Sequence, residues 1–399
     1  MVQRPGFLRQ FAREWPRTIA LVFILVCTLM AFFAYLITSD KTPDVNRQIF
    51  GIGLKKPGFT VTLLAFPKPG ISDNPSFLHF LLNGKEDDHR YLAVSNYKID
   101  GDSLKYSLYE EDAHSGDLPV TTIHKVKWLL GDEVIKIDKS NQLYSITLED
   151  GRHIELSENE VDSRLQQSGI IKRTYLLGTD LFGRSLLDRI ILGIRYSLFI
   201  GFLAVLLSIT IGTVIGMLSG YFGGKTDDVL SFLMNVAWSI PTLILVFAIV
   251  LVTGRGIQNI FIAVGLTMWV DAARLVRGQV LSLKKEKYVE VARTMGMSTP
   301  RILFRHILPN MLGPVIVIAV SNFASAIIVE SGLSYLGFGI QPPTPSLGSI
   351  LSENYGFILT GKPMLAIIPV VILLLLVLSF NLVGNGVRDI FDVKSNLQP

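Results

Sequence analysis

The sequence predicts an all-α multi-pass membrane protein with six transmembrane helices and a β-rich extracytoplasmic insert. Three observations lead there. Of 399 residues, 49% are hydrophobic and only 18% charged, and mean hydropathy is +0.45; soluble domains carry about a quarter charged residues. Apolar runs suited to crossing a hydrocarbon core of about 30 Å recur along the chain. A single long polar stretch separates the first run from the rest, and its apolar residues alternate with the period of a strand.

The first run is Thr18–Thr38, preceded by Arg4, Arg9, Arg13 and Arg17. A basic lead before an apolar core also suits a signal peptide, but this run is longer than a typical signal core and no A-x-A site follows. Residues 1–39 therefore read as a cytoplasmic N-terminus with an uncleaved first helix. Cys27, the only cysteine, lies in this run; it excludes an intrachain disulfide and a cysteine-rich zinc site and reads as a packing residue.

Residues 40–177 form the insert, with 17 Lys+Arg and 21 Asp+Glu. Strand-like alternation marks Phe59–Phe66, Tyr91–Ile99 and Val134–Ile137, while Leu143–Leu148 and His153–Leu156 flank Asp150-Gly151, a hairpin signal. His79, His89, His114, His124 and His153 are scattered through it without metal-ligand spacing and read as surface histidines.

Five further runs follow: Tyr196–Leu218, Val229–Thr253, Ile257–Val270, Met311–Val329 and Met364–Leu382. The third of these is short and takes in Asp271–Ala273 at its end. They define a five-helix core over 178–390, with 391–399 as a cytoplasmic tail. Pro241 and Pro314 fall inside runs and predict kinks. Ser208, Gly212, Gly216 and Gly220 recur every four residues, which lets another helix approach closely, either within the chain or from a second permease subunit.

Outside the insert the chain holds 20 basic and 12 acidic residues, so its apolar part is also its basic part. No basic stripe interleaved with aromatics supports nucleic-acid binding; the charge suits the anionic inner face of a lipid bilayer. The loop within 276–310 carries Arg277, Lys284, Lys285, Lys287, Arg293, Arg301 and Arg305 against Glu286 and Glu290, and short loops rich in cations stay inside. This agrees with a cytoplasmic N-terminus and puts the insert outside.

The stretch Lys287–Asn310, KYVEVARTMGMSTPRILFRHILPN, has helical spacing in two pieces broken by Gly296 and Pro300. A helix–turn–helix on the inner membrane face is the direct reading; a basic amphipathic segment lying on lipid is the plainer one. The stretch resembles the EAA signature of permeases from binding-protein-dependent ABC importers, with Glu290, Ala292, Gly296, Leu308 and Pro309 on signature positions. Val291 departs from the usual middle alanine, and His306 stands where many members have isoleucine. In that family the segment forms a coupling helix that docks on the ATPase. Gly178–Gly201, Gly220–Asp228, Asp271–Leu283 and Ser331–Leu351 resemble the dipeptide, oligopeptide and nickel branch; Ser185 stands where an aspartate is usual. The resemblance covers most of 178–390 and nothing of the insert.

It implies a type I ABC importer-like fold in the bacterial inner membrane and the role of a permease subunit, not an enzyme. Its partners would be two ATP-binding-cassette ATPase subunits, a second related permease and an extracytoplasmic substrate-binding protein, with no cofactor. The substrate would be a dipeptide, an oligopeptide or a small solute such as a nickel chelate. GYFGGKT at Gly220–Thr226 imitates a phosphate-binding loop, but Ser219 occupies the first glycine position and a membrane helix, not a strand, precedes it. A secondary transporter or channel is the alternative function; it predicts internal repeats and paired intramembrane charges, which the sequence lacks. A mechanotransmission protein acting through its outer domain would need few membrane helices. Glu330 adjoins the apolar core of the fifth helix and reads equally as a translocation-path residue or as an interfacial carboxylate. Asn235, Trp238, Asn322 and Ser325 are candidates for the same path.

Overall fold

The computed structural model describes residues 14–68, 75–110, 119–131, 134–149 and 151–395. Arg4, Arg9, Arg13, His114 and Asp150, all named above, lie outside the described residues. The chain divides into two compact units, one comprising Phe33–Leu192 with Gly356–Leu365, the other the remainder.

Among the described residues the first element is α1 (Trp15–Phe32), a span by length and composition, and after Phe33 the chain continues as the short α2 (Ala34–Ile37). The first compact unit then adds β1 (Phe59–Pro67), α3 (Phe77–Asn83), β2 (His89–Asp100), β3 (Ser103–Leu108), β4 (Val120–His124) and α4 (Lys125–Leu130). It closes with β5 (Val134–Ser140), β6 (Leu143–Leu148), β7 (His153–Ser157), α5 (Glu158–Arg164) and β8 (Ile170–Tyr175). The strands form two antiparallel sheets, ordered β4-β3-β2-β1-β8 and β5-β6-β7.

β1 is covered on both faces, as its apolar sequence FTVTLLAFP requires. Leu64 faces a core with Leu104, Trp128, Tyr144 and Ile146, while Val61 and Leu63 face another with Ile49, Ile52 and Tyr175. Trp128 is fully buried and its indole N–H donates to the Ala65 carbonyl at 3.0 Å, which removes the cost of an unpaired polar group. All five strands expected from alternation are present. β3, β4 and β8 are additional; SLKYSL, VTTIH and IIKRTY are too polar or too irregular to announce themselves. Asn141 and Gln142 both adopt positive φ (46° and 66°) in the two-residue turn between β5 and β6, a second hairpin the sequence reading passed over.

The second unit is helical. α6 (Leu186–Phe222) belongs to it from Gly193 onward and runs 37 residues, about 55 Å at 1.5 Å per residue, well beyond the hydrocarbon thickness. Then come α7 (Gly224–Ser239), α8 (Thr242–Thr253), α9 (Ile257–Leu283), α10 (Lys287–Thr294), α11 (Thr299–Ile302), α12 (Leu308–Tyr335), α13 (Leu347–Asn354) and α14 (Met364–Ser395). Among the described residues five helical stretches are long and apolar enough to cross a membrane, and a sixth arises if α7 and α8 count as one span.

α7 and α8 correct the sequence reading. Val229–Thr253 was expected as one kinked helix, but the chain bends by 90° at Ile240-Pro241. Ile240 is extended (φ −93°, ψ 126°), the conformation forced on a residue preceding proline, and the helix stops there. Pro314, by contrast, is carried inside the continuous α12.

The small-residue stripe of α6 packs within the chain. A Cβ on Gly212 would stand 2.6 Å from the Ala272 Cβ, and one on Gly216 would stand 2.5 Å from the Ala273 carbonyl oxygen. One on Gly220 would meet the Arg277 carbonyl oxygen at 2.9 Å. Three glycines one helical turn apart thus bring the backbone of α6 against α9.

Candidate functional site

The segment between α9 and α12 is a built protrusion. Val289 and Ala292 are buried on one side of α10, in a cluster with Met217, Val276, Ile302 and Met311. Glu290 and Arg293 on the other side are exposed. α10 ends in a Schellman motif: the Gly296 amide donates to the Arg293 carbonyl at 3.0 Å and the Met297 amide to the Ala292 carbonyl at 3.2 Å. Gly296 has φ +73°, and no heavy atom lies within 4 Å of where its Cβ would be. Of the two reasons for a glycine here, left-handed backbone holds and close approach within the chain does not.

α11 then starts with Pro300 in its first turn, where the missing N–H costs nothing. The chain passes through a π-turn, Leu303–Ile307, into α12. Leu308 is half-buried against the α10 cluster, and Pro309 is exposed in the first turn of α12. Pro309 cannot donate to the Arg305 carbonyl, and the wider turn falls at this step, with the Leu308 amide reaching back to Leu303. His306, which departs from the signature, has its Nε2 buried without a hydrogen-bond partner.

The protrusion is fastened to the end of α6. Asp227, in the first turn of α7, accepts two parallel hydrogen bonds from Arg277, both 2.6 Å, and further ones from Ser219 and Ser231. Lys284 donates to the Gly220 carbonyl at 2.8 Å, satisfying an orphan acceptor at the helix end. Two of the seven loop cations are therefore structural. Lys285, Glu290 and Arg293 line, with Lys284, Tyr221 and Phe222, an open depression of about 760 Å³. GYFGGKT forms a helix–glycine–helix corner with Gly223 and Gly224 both at positive φ and Lys225 exposed. No strand precedes it, so the geometry of a phosphate-binding loop is missing.

The path candidates fall into separate groups. Asn235 and Trp238 are exposed on α7 and share one partner, Arg274 of α9. Its guanidinium donates to the Asn235 side-chain oxygen at 2.8 Å and lies 4.3 Å from the centre of a Trp238 ring. Ser325 is exposed on α12; Asn322 on the same helix is buried and its amide nitrogen has no hydrogen-bond partner.

Glu330 is fully buried within the helical unit. Its carboxylate accepts from Ser197 of α6 at 2.9 Å, Ser334 at 2.8 Å and Ser331 at 3.3 Å. Ser346, the N-cap of α13, also reaches it. One carboxylate thus gathers α6, α12 and the start of α13 through hydroxyl donors. The Arg274–Asn235, Arg277–Asp227 and Ser197–Glu330 pairs are not legible in the sequence because their members lie tens of residues apart or more.

Residues 212–395 match the family described as the binding-protein-dependent transport system inner membrane component. Over 225 residues the chain is 39% identical to the dipeptide transport system permease protein DppC of Lactococcus lactis subsp. cremoris, a stretch covering 56% of this chain and 65% of that protein. That share is just under two thirds of the Lactococcus protein's length. The chain is 38% identical over 222 residues to the oligopeptide transport system permease protein OppC of Bacillus subtilis, covering 56% of this chain and 72% of that one. It is 40% identical over 218 residues to the glutathione transport system permease protein GsiD of Pectobacterium atrosepticum, covering 55% and 72%. With its apolar spans and the signature residues seated on one protrusion, the chain belongs to the family of inner membrane components of binding-protein-dependent transport systems.

Proposed function

We propose that this chain is the permease subunit of an ATP-driven importer for peptides, and that the α10–α11 protrusion couples it to the ATPase. The observation that carries the coupling role is the build of that protrusion. α10 buries Val289 and Ala292, stops at a glycine-dependent cap, and is tied through Arg277 and Lys284 to α6 and α7. A segment so held transmits displacement to the spans, whereas a helix merely floating on lipid needs no such fastening. Glu290, exposed beside Lys285 and Arg293, is free to meet a basic group on a docked ATPase. Ala292 and Leu308 seat the two pieces, Gly296 sets the turn between them, and Pro309 starts α12.

In this scheme two ATPase subunits hydrolyse ATP, and this chain pairs with a second, related permease. A binding protein delivers solute from the face that carries the insert. The N-terminus and the 276–310 loop then lie in the cytoplasm, the 40–177 insert outside. Closure of the ATPases on ATP displaces the protrusion, and the spans alternate between outward and inward access. Asn235, Trp238, Asn322 and Ser325 are proposed to line the path. Glu330 borders it and holds α13 against α6 and α12. The peptide assignment rests on the relatives, whose names specify dipeptides, oligopeptides and glutathione. Reconstitution of the chain and its partner permease, with and without the ATPase subunits, tests the reading. Peptide uptake should require both ATPase and ATP, and uptake without them would overturn it.

A further inference from the structure

The short helix α3 has no charged residue in its sequence FLHFLLN, yet much of its apolar side chain is uncovered. Leu78 and Leu82, one turn apart on one face, are 64% and 49% exposed, and Phe77 beside them is 68% exposed. The opposite side is occupied: Leu81 is buried and the Phe80 ring lies 6.5 Å from that of Tyr35. The face bearing Leu78 and Leu82 is therefore a surface without a covering element among the described residues.

Its position is set by α2. The Lys85 amide, just past the end of α3, donates to the Lys41 carbonyl at 2.7 Å. The Lys41 ammonium turns back to the carbonyls of Tyr35 and Leu36, at 2.7 and 3.0 Å, capping α2. α2 follows α1 after the single residue Phe33, and its own Leu36 and Ile37 are 45% and 52% exposed. Thus α3 is hydrogen-bonded and ring-packed to the segment by which the first span leaves the hydrocarbon.

We propose that α3 is an interfacial helix that lies in the lipid headgroup layer at the membrane surface where the first span ends, anchoring the β-rich unit to the bilayer. A short, uncharged helix with leucine and phenylalanine outward has the chemistry of that layer. The inference rests on α1 being a span and not on the transport reading, so the two fail independently.

The test is site-directed spin labelling of the full chain in lipid nanodiscs, in a Cys27→Ser background, with single substitutions Phe77→Cys, Leu78→Cys and Leu82→Cys. Lys98→Cys on the exposed part of β2 serves as the aqueous reference. All of these positions are exposed, so the labels displace no core residue. Collisions with oxygen should exceed those with a water-soluble nickel chelate at 78 and 82, and the order should reverse at 98. Nickel accessibility at 78 and 82 equal to that at 98 would overturn the proposal by showing a water-facing helix. Low accessibility to both reagents would overturn it differently, by showing a face covered by protein.

Discussion

Replacing Gly296 separates a backbone requirement from a steric one. The residue stands at φ +73° with nothing within 4 Å of its missing Cβ, so any cost of a side chain is conformational. Holding an L-residue in the left-handed region costs about 1–2 kcal/mol, and asparagine or aspartate pays less because its short polar side chain bonds locally. A penalty of that size lowers the population of the α10 cap by a factor of about 5–30. Gly296→Asn and Gly296→Asp should therefore be mild, Gly296→Ala intermediate, and Gly296→Val worst, since a β-branched residue rarely tolerates positive φ. Amide exchange at Met295–Met297 in the assembled transporter, read beside peptide uptake per ATP hydrolysed, should rank the variants in that order. Equal loss of coupling in Asn, Ala and Val variants, with exchange unchanged, would refute the backbone argument and point to a partner chain packed on the glycine.

Gly216→Leu should lower the melting temperature of the solubilised protein, because its Cβ would meet the Ala273 carbonyl at 2.5 Å; overpacking of this kind costs about 1–3 kcal/mol. Gly278→Ala, with nothing within 4 Å, should be neutral or slightly stabilising and serves as the control. Arg277→Lys keeps the charge but loses the two-pronged bond to Asp227, and at a partly exposed site this should cost about 1 kcal/mol, measurable by thermal denaturation. In the insert, hydrogen bonds from Lys139 and Tyr144 hold the Asp102 carboxyl below its usual range. A depressed carboxylate stabilises above its unfolded pKa of about 3.9 and loses that contribution as pH falls through the folded value. Acid unfolding of the β5–β7 sheet, followed by hydrogen exchange, should thus be steeper below pH about 4 in the natural chain than in Asp102→Asn. Cysteines at Lys98 and Ser282 should label from opposite sides of the membrane with an impermeant thiol reagent; labelling from the same side would overturn the topology.

The spans and the protrusion were legible because their signals are local. Uncharged length marks a helix that can cross lipid, and Gly296 followed by Pro300 marks the break between two helical pieces. The stripe from Gly212 to Gly220 announced close packing, but only the structure supplied its partner, Trp269–Arg277 of α9. The 90° bend at Ile240-Pro241 was under-read because a proline in an apolar run is compatible with a kink or a full break, and neighbours decide which. In the insert, β1 and β2 carry enough apolar and β-branched residues to read as strands, whereas β3, β4 and β8 carry lysines and threonines on their open faces and gain strand character only by pairing. Glu330 was visible as an odd carboxylate, but its serine donors are drawn from positions 197, 331, 334 and 346, a grouping that no spacing along one helix encodes.

The most direct test of the coupling role is Glu290→Ala in the complete transporter, with ATP-driven uptake, ATP hydrolysis and binding of the loaded external protein measured on one preparation. Glu290 is exposed at the rim of the α10 depression, so its removal leaves this chain's own packing intact. A charge-assisted hydrogen bond to a docked ATPase contributes about 1.5–3 kcal/mol, which corresponds to a loss of roughly 10- to 150-fold in association or coupling. The account predicts that uptake per ATP falls or the ATPase dissociates, while the external protein binds as before. Uptake at the natural rate, with normal ATPase association and expression, would contradict it.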